Sequence, residues 1–263
     1  MKTLPTRFAQ RFLPKGWQDL LWQILLFCGA YWLYRLVRGQ VFAQSAAAFD
    51  HARDIVSLEK SLHVFVEPSV QHWAIGTGFI DDIGSWMYLN THFIVTTCAL
   101  AYVYLFRNEH YYFVRNMFMV AMGLALVGYV LYPTAPPRML PELGFVDSVS
   151  DFTGVSSDSD VNALFNPYAA VPSMHVGFAL MLSIPMIRMA RHRATKVLWA
   201  FYAPIVTGVV VVTGNHWIFD AATGALVAAV AAVAAQTVFA RVRPAAWAWA
   251  PEQEGLPAPA RAG

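Results

Sequence analysis

Residues 197–236, VLWAFYAPIVTGVVVVTGNHWIFDAATGALVAAVAAVAAQ, form two apolar runs on either side of a short polar segment. Each run approaches the roughly 20 mostly apolar residues that a helix needs to cross a bilayer. The polar segment contains His216 and Asp220. Because ionisable side chains at the end of a membrane span are costly, this segment is also a candidate functional site.

Four more apolar stretches predict an all-α integral membrane bundle of six transmembrane helices. Of the 263 residues, 57% are hydrophobic and only 13% are charged, whereas soluble domains carry about a quarter charged residues. We interpret the first span as a retained helix, because no small-residue cleavage site of a signal peptide follows it. The predicted spans cover residues 18–36, 86–106, 115–132, 173–190, 197–214 and 219–240.

The bundle is expected to form one domain over residues 18–243. It follows an N-terminal segment, residues 1–17, and precedes a Pro- and Ala-rich tail, residues 244–263, that we expect to be disordered.

Residues 40–85, between the first two spans, are too polar to cross a membrane. Leu58, Leu62 and Phe65 recur at helical spacing with charged residues between them, which predicts an amphipathic helix. Such a helix could lie in the membrane interface or pack as a short helix on the bundle, and the sequence favours neither. The fold prediction adopts an interfacial amphipathic helix between the first and second spans.

Lysine and arginine near the ends of the spans predict the orientation, since they concentrate on the cytoplasmic side. With a cytoplasmic N-terminus, 13 of these residues fall inside and 5 outside. Both termini are therefore predicted to be cytoplasmic, in a multi-pass protein of the cell (plasma) membrane. The outside residues are Arg35, Arg38, Arg53, Lys60 and Arg138.

Span counting places four chemically reactive residues at the extracytoplasmic end of the bundle. Arg138 follows the third span, His175 opens the fourth, and His216 and Asp220 lie between the fifth and sixth. Nothing in their spacing along the chain requires a shared end, so the topology makes them candidates for one site.

His216 and Asp220 are four residues apart, which places both side chains on one face of a helix or helical turn. A carboxylate beside an imidazole fixes its tautomer and favours its cationic form, so the other ring nitrogen becomes a better nucleophile or base. The alternative is a structural pair that caps the sixth helix, and the pair alone favours neither.

His175 and Arg138 each have a reactive and a structural interpretation. His175 follows the helix-start residues Pro172 and Ser173, and a helix N-terminus is a ready anion site where an imidazolium could protonate a leaving group. Taken alone, an interfacial histidine bonded to a loop carbonyl is the more common arrangement. Arg138 follows three stiffening prolines and suits a phosphate, or it anchors to a lipid headgroup.

Three further polar residues are candidates for substrate contact, each with a structural alternative. His92 lies in the outer half of the second span and could instead hydrogen-bond between helices. Asn166 precedes a proline, which is an ordinary turn signal, and Asn215 could cap a helix. No cluster has metal-ligand spacing, so we predict neither a metal nor a cofactor.

The order Pro-Pro-Arg at 136–138, Pro-Ser-Met-His at 172–175 and Gly-Asn-His-x-x-x-Asp at 214–220 resembles the type 2 phosphatidic acid phosphatase (PAP2) superfamily. It is most similar to the branch that contains inositol phosphorylceramide synthases and related bacterial membrane proteins. The similarity covers roughly the second to sixth spans.

The resemblance implies a role for each of these motif residues. His216 would attack phosphorus and form a phosphohistidine, with Asp220 orienting it. His175 would protonate the leaving oxygen, and Arg138 and Ser173 would hold phosphate oxygens. These roles agree with the chemistry that the residue types suggest, since phosphoryl transfer asks mainly for positioning and charge stabilisation.

Two cationic positions of the phosphatase pattern are apolar here. The lysine that would stand seven residues before Arg138 is Leu131, and the Ser-Arg that would open the third motif is Val209-Val210. A phosphodiester carries one charge fewer than a phosphomonoester dianion and needs fewer cations. The departures therefore favour a phosphotransferase, or a diester or diphosphate substrate, over a monoester phosphatase.

The sequence thus predicts a membrane enzyme that transfers a phosphoryl group or a phosphorylated headgroup on a lipid, similar to inositol phosphorylceramide synthase. Two alternatives stay open: hydrolysis of a lipid phosphate or diphosphate by the same chemistry, and a lipid transporter or scaffold without activity. The expected partners are a lipid with a phosphate-containing headgroup and an alcohol acceptor, and no nucleic acid. The oligomeric state is not predicted.

Overall fold

The computed structural model describes residues 13–40, 45–155 and 168–249, without the side chains of 34–40 and 245–246. Its regular structure is helical, and the described residues contain only one isolated β-bridge, between Thr134 and Ala169. The helices are α1 Gly16–Gln40, α2 Ser45–Ser61, α3 Glu67–Thr77, α4 Phe79–Phe106, α5 Asn108–Leu131, α6 Ser148–Thr153, α7 Met174–Met189, α8 Arg193–Val212, α9 Ile218–Val233 and α10 Pro244–Trp247.

Short segments complete the main helices. Two turns of 3₁₀-helix, Pro137–Met139 and Pro141–Leu143, follow α5. Helix α9 continues through a π-helical segment, Ala234–Phe239, into a last turn, Ala240–Val242. The predicted tail begins at residue 244, and the structure describes it as far as residue 249.

Within the described residues, four helices are long and apolar enough to cross a membrane: α4, α5, α8, and α9 with its continuation to Val242. This agrees with the prediction of a helical membrane protein. The predicted first span lies within α1, and the predicted fourth span corresponds to α7, an apolar helix that is shorter than the others. The count of six spans therefore stays a prediction.

Helix α7 lies at the centre of the bundle and packs against α8, α9, α5 and α4. Small residues on α5 and α9 let their backbones approach, as is usual between helices in membranes. The main cluster of buried side chains fills the space between α5, α7 and α9, and it includes Val114, Phe118, Ala121, Ala125, Leu182 and Ala231.

Helix α1 is tied to the bundle at the end opposite the candidate site. The Asp19 carboxylate accepts hydrogen bonds from the hydroxyls of Tyr104 (2.9 Å) and Tyr112 (3.0 Å). Arg115 donates to the side chain of Gln23 at 2.8 Å. These contacts join α1 to the junction of α4 and α5.

Helices α2 and α3 occupy the segment between the first two predicted spans, and α2 covers the loop that follows α5. The N–H of Ala135 donates to the carbonyl of Ala48 at 3.0 Å, and Nδ1 of His51 lies 2.7 Å from the Pro133 carbonyl. The buried face of α2 carries Ala48, Ala52, Ile55, Val56 and Glu59.

The spacing of Leu58, Leu62 and Phe65 does not correspond to a continuous helix, because α2 ends at Ser61. Leu58 and Leu62 are exposed, and Phe65 stacks on the ring of Trp217. The helix therefore packs on the bundle by a different face from the one that the leucines suggested. Contact of that exposed face with a membrane interface stays a prediction.

The crossing of α7 and α9 leaves no room for a side chain at Gly224. A Cβ there would overlap the carbonyl of Ser173, and one at Gly177 would lie 3.1 Å from the Gly224 carbonyl oxygen. This contact sets the distance between the two helices that carry the histidine motifs.

We expect Gly224→Ala to lower the free energy of unfolding by about 1–3 kcal/mol or more, because overpacking forces the backbone of one helix to move. The measurement is the thermal midpoint of the purified protein in detergent. Gly208→Ala, in α8, is the matched control, since a Cβ there meets nothing within 4 Å. Equal midpoints for the two variants would contradict the close crossing.

Candidate active site

His216 and Asp220 form a buried pair at the start of α9. Nδ1 of His216 lies 3.1 Å from Oδ2 of Asp220, and the two residues are 5% and 0% exposed. A carboxylate only accepts hydrogen bonds, so the proton of a neutral imidazole sits on Nδ1. Nε2 is then the unprotonated nitrogen, and it can act as a nucleophile or base.

A tight turn between α8 and α9 presents His216. Gly214 has φ +64°, and the N–H groups of Asn215 and His216 both donate to the Val210 carbonyl, at 3.0 and 3.1 Å. A left-handed residue after a helix favours glycine, which has no Cβ to clash. The sequence Thr-Gly-Asn-His therefore ends α8 and reverses the chain within one turn.

Ser173 caps the start of α7 and contacts the same turn. Its N–H donates to the Asp220 carbonyl at 3.0 Å. Its hydroxyl is buried and has no hydrogen-bond partner among the described residues. An unsatisfied buried hydroxyl is costly, so this oxygen is suited to a ligand group.

His175 is the second residue of α7 and faces His216, with 5.5 Å between the ring centroids. Its ring stacks on Tyr88 at 4.6 Å and lies 4.5 Å from the ring of His92. Nδ1 of His92 is buried and has no partner among the described residues. The structure thus brings three histidine rings into one row.

Arg138 lies on the loop after α5 and is fixed at both backbone and side chain. Its N–H donates to the Gly214 carbonyl at 2.8 Å, and its guanidinium donates to Oδ1 of Asn215. Nε lies 3.6 Å from the carboxylate of Asp147. The amide of Asn215 is held in turn by Thr213, to whose hydroxyl it donates at 2.9 Å.

The structure therefore brings together five of the predicted positions around the turn before α9: Arg138, Ser173, His175, His216 and Asp220. Asn215 lies in the same turn and contacts Arg138. His92 adjoins His175, whereas Asn166 lies outside the described residues. These residues come from three parts of the chain and meet at one end of the bundle. The extracytoplasmic location of that end stays a prediction.

The motifs of this site lie in a region of the chain that matches a known protein family. The sequence matches the PAP2 superfamily over residues 53–234, which is more than half of the chain. The chain belongs to this superfamily. Searches of the curated proteins and of the solved structures found no match. Members of the PAP2 superfamily are generally phosphatases or phosphotransferases that act on phosphate-containing lipids, which supports an enzymatic function in general terms.

The two apolar departures from the phosphatase pattern of the PAP2 superfamily differ in their surroundings. Leu131 is 73% exposed on the outside of α5, whereas Val209 and Val210 are buried in the last turns of α8. Val209 and Val210 also line an apolar recess beside His175. Arg138 thus lacks both cations that would accompany it in that pattern.

Metal ligands are not grouped in the part of the chain that the structure describes. No group of three or more His, Cys, Asp or Glu side chains in these residues could hold a metal ion. The arrangement of imidazoles, one carboxylate and one guanidinium instead suits nucleophilic and acid–base chemistry.

Two residues that position the site, Gln71 and Trp217, belong to no sequence motif. Gln71 of α3 donates to the Val146 carbonyl at 2.8 Å and accepts from the Val146 N–H at 3.2 Å, which holds the neighbouring Asp147 near Arg138. Trp217 is fully buried and donates to the Ala135 carbonyl at 3.0 Å. Only the polarity of Gln71 and the large aromatic ring beside His216 could have marked them.

Gly214→Ala is expected to disturb this turn more than a glycine replacement in open space. Its Cβ would lie 2.7 Å from Nε2 of Gln71, on a backbone that already disfavours a side chain. We expect a loss of about 2–5 kcal/mol in the free energy of unfolding, the sum of left-handed strain and overpacking.

Gly144→Ala is the matched control, since Gly144 has φ +87° but nothing within 4 Å of a Cβ. The free energy of unfolding of Gly144→Ala should decrease only by the cost of the left-handed backbone, roughly 1–2 kcal/mol. The double variant Gln71→Ala/Gly214→Ala should recover part of the loss, measured by thermal unfolding. Equal losses at the two glycines would show that Gln71 does not pack against the turn.

Proposed function

We propose that this chain is a membrane enzyme that transfers a phosphoryl group or a phosphorylated headgroup from a lipid through a phosphohistidine on His216. The observation that carries the proposal is the placement of two imidazoles 5.5 Å apart, one of them bound through Nδ1 to a buried carboxylate. This pairing offers a nucleophile and a separate proton donor on two helices that are packed together.

In the first step, Nε2 of His216 attacks phosphorus, and the bond from phosphorus to the leaving oxygen breaks. His175 enters as imidazolium and gives its proton to that oxygen. The Nδ1 proton of His216 remains on the ring, where Asp220 balances the positive charge of the phosphorylated imidazole. The products are the released alcohol and a phosphohistidine.

In the second step, an acceptor hydroxyl loses its proton to the now neutral His175 and attacks the phosphorus. The bond from phosphorus to Nε2 breaks, and both histidines return to their starting states. Water as acceptor gives hydrolysis, and an alcohol gives transfer. Arg138 and the unpartnered hydroxyl of Ser173 are proposed to hold the non-bridging oxygens, and His92 is proposed to contact the headgroup beside His175.

The charge of the site favours a headgroup with a single negative charge. Arg138 is already shared with Asp147 and Asn215, and the two further cationic positions are apolar. A phosphodiester lipid therefore suits the site better than a monoester dianion. We propose transfer as the main reaction, similar to inositol phosphorylceramide synthase, with hydrolysis as the second candidate.

We also propose six spans with both termini cytoplasmic and the site at the extracytoplasmic end. The asymmetric distribution of lysine and arginine supports this orientation. The attachment of α1 to α4 and α5 supports its place in the bundle.

His216→Ala and His175→Ala are expected to abolish turnover of a labelled lipid phosphodiester by purified protein in detergent, while both variants still fold and insert. His216→Ala should also have a lower thermal midpoint, because the buried Asp220 carboxylate loses its contact with Nδ1. His72→Ala is the control, since His72 is exposed on α3. Full activity in both site variants would rule out the proposed mechanism, and absence of turnover in the wild type would favour a lipid transporter or scaffold.

A substrate with a nitrophenolate leaving group separates the two histidines, because that group departs without a proton. On the lipid substrate, loss of the general acid should cost about 10²–10⁴-fold. On the nitrophenyl substrate, His175→Ala should lose far less, and the phosphohistidine should be trapped by rapid acid quench. His216→Ala should stay inactive on both substrates. An equal loss for His175→Ala on both would contradict its role as proton donor.

The acceptor is tested by adding alcohols to the wild-type protein in water labelled with ¹⁸O. Transfer predicts that the product carries the alcohol and that the label stays low as the alcohol concentration rises. A phosphomonoester product that carries one ¹⁸O from water and no alcohol at every alcohol concentration would assign the protein to hydrolysis instead.

A further inference from the structure

Two glutamates that the mechanism does not use lie buried beside the histidine–aspartate pair. Glu59, in the last turn of α2, is 2% exposed, and Glu67, the first residue of α3, is fully buried. Glutamate is almost never fully buried without a partner. Their burial therefore requires specific contacts.

Both glutamates bind the backbone at the start of α9. The N–H of Phe219 donates to Oε1 of Glu59 at 2.8 Å, and the N–H of Ile218 donates to Oε1 of Glu67 at 2.9 Å. The first N–H groups of a helix have no partner within it, and negative charge is favourable there. The N–H before them, on Trp217, donates to Asp220 at 3.0 Å.

The second oxygen of each carboxylate, Oε2, is buried and has no hydrogen-bond partner among the described residues. Two ionised carboxylates held on consecutive N–H groups in a buried site repel each other, so a proton on one of these oxygens stabilises the pair. Burial, followed by the neighbouring Glu67 side chain, raises the pKa of Glu59 to about 9, against the opposing effect of the Phe219 N–H. The proton belongs to the pair rather than to either residue.

We propose that Glu59 and Glu67 share one proton and act together as positioning residues, which hold the start of α9 and with it the reactive ring of His216. The mechanical link is short, because the bound N–H groups lie two and three residues after His216. The pair also attaches α2 and α3 to α9, so the cover of the site and its nucleophile are joined by the same hydrogen bonds.

The charges around the pair give a direction for its pH dependence. On α9 the pair faces Asp220, which also raises the pKa of Glu59, and on α2 and α3 the facing groups are the two glutamates themselves. Removal of the shared proton puts two carboxylates against each other and against Asp220. We expect α2 and α3 to lose contact with α9 at that point.

The raised pKa of Glu59 determines the direction in which the stability of the protein changes with pH. The folded protein binds this proton more tightly than the unfolded chain, whose glutamates have the usual value of 4.5. The stability that the proton contributes is therefore complete below pH 4.5, decreases above it, and is lost as the pH passes about 9.

Glu59→Gln and Glu59→Ala test the pair. Glutamine can accept from the Phe219 N–H and donate to Glu67 without a proton that titrates, whereas alanine can do neither. We expect Glu59→Ala to lower kcat about ten- to a hundredfold with little change in KM, since the nucleophile is displaced. Glu59→Gln should restore most of this loss and move the alkaline fall in kcat to higher pH. Glu142→Gln, an exposed residue of the Pro141–Leu143 turn, is the control.

Thermal midpoints between pH 6 and 10 give a readout that needs no substrate. The midpoint of wild type should fall more steeply than that of Glu59→Gln between pH 6 and about 9, and the two should run parallel above pH 9. Identical pH dependence in the two proteins would overturn the shared proton, and unchanged kcat in Glu59→Ala would overturn the positioning role. The kcat measurement rests on the proposed function. If wild type turns over no lipid, the proposed function fails, but the thermal midpoints still test whether the two glutamates share a proton.

Discussion

The carboxylate of Asp220 is completely buried at the end of an apolar bundle, and its contacts with the described residues are concentrated on one oxygen. Its Oδ2 accepts from the Trp217 N–H and lies against Nδ1 of His216, while its backbone carbonyl accepts from Ser173. A buried charge without such partners costs several kcal/mol. The turn before α9, the ring of His216 and the start of α7 are therefore placed by one residue. Gly224 then fixes how closely the two helices meet.

Three loops meet at this point because each supplies a backbone group that another needs. The loop after α5 donates from Arg138 to Gly214, and the chain that enters α7 pairs with it through Thr134 and Tyr168. Helices α2 and α3 complete the arrangement by supplying Glu59 and Glu67 to α9. The cover and the site are consequently one hydrogen-bonded unit, so a change at the surface of α2 can reach the nucleophile without a change in any motif residue.

The motifs and the apolar runs are patterns within short stretches of sequence, so the helices and the motif residues could be predicted from them. The spacing of His216 and Asp220 predicts their contact, and counting apolar runs brings Arg138 and His175 to the same end of the bundle. The role of α2 and α3 was not predictable in this way. The spacing of Leu58 and Leu62 indicates one face of α2, but α2 packs on the bundle through another face, which includes the small residues Ala48 and Ala52. Alanines contribute little to a hydrophobic periodicity, so the sequence does not reveal this face. Glu59 and Glu67 belong to no sequence motif, and their partners are backbone groups more than 150 residues away.

The charges at the site bear on the charge of the substrate that it would bind. Asp220 and the glutamate pair place negative charge behind the histidines, while Arg138 is partly neutralised by Asp147 at 3.6 Å. A doubly charged phosphate would enter with only this arginine and a protonated His175 to meet it. A singly charged diester needs less compensation. The apolar positions therefore fit a site adjusted to lower substrate charge better than a monoester site that has lost its ligands.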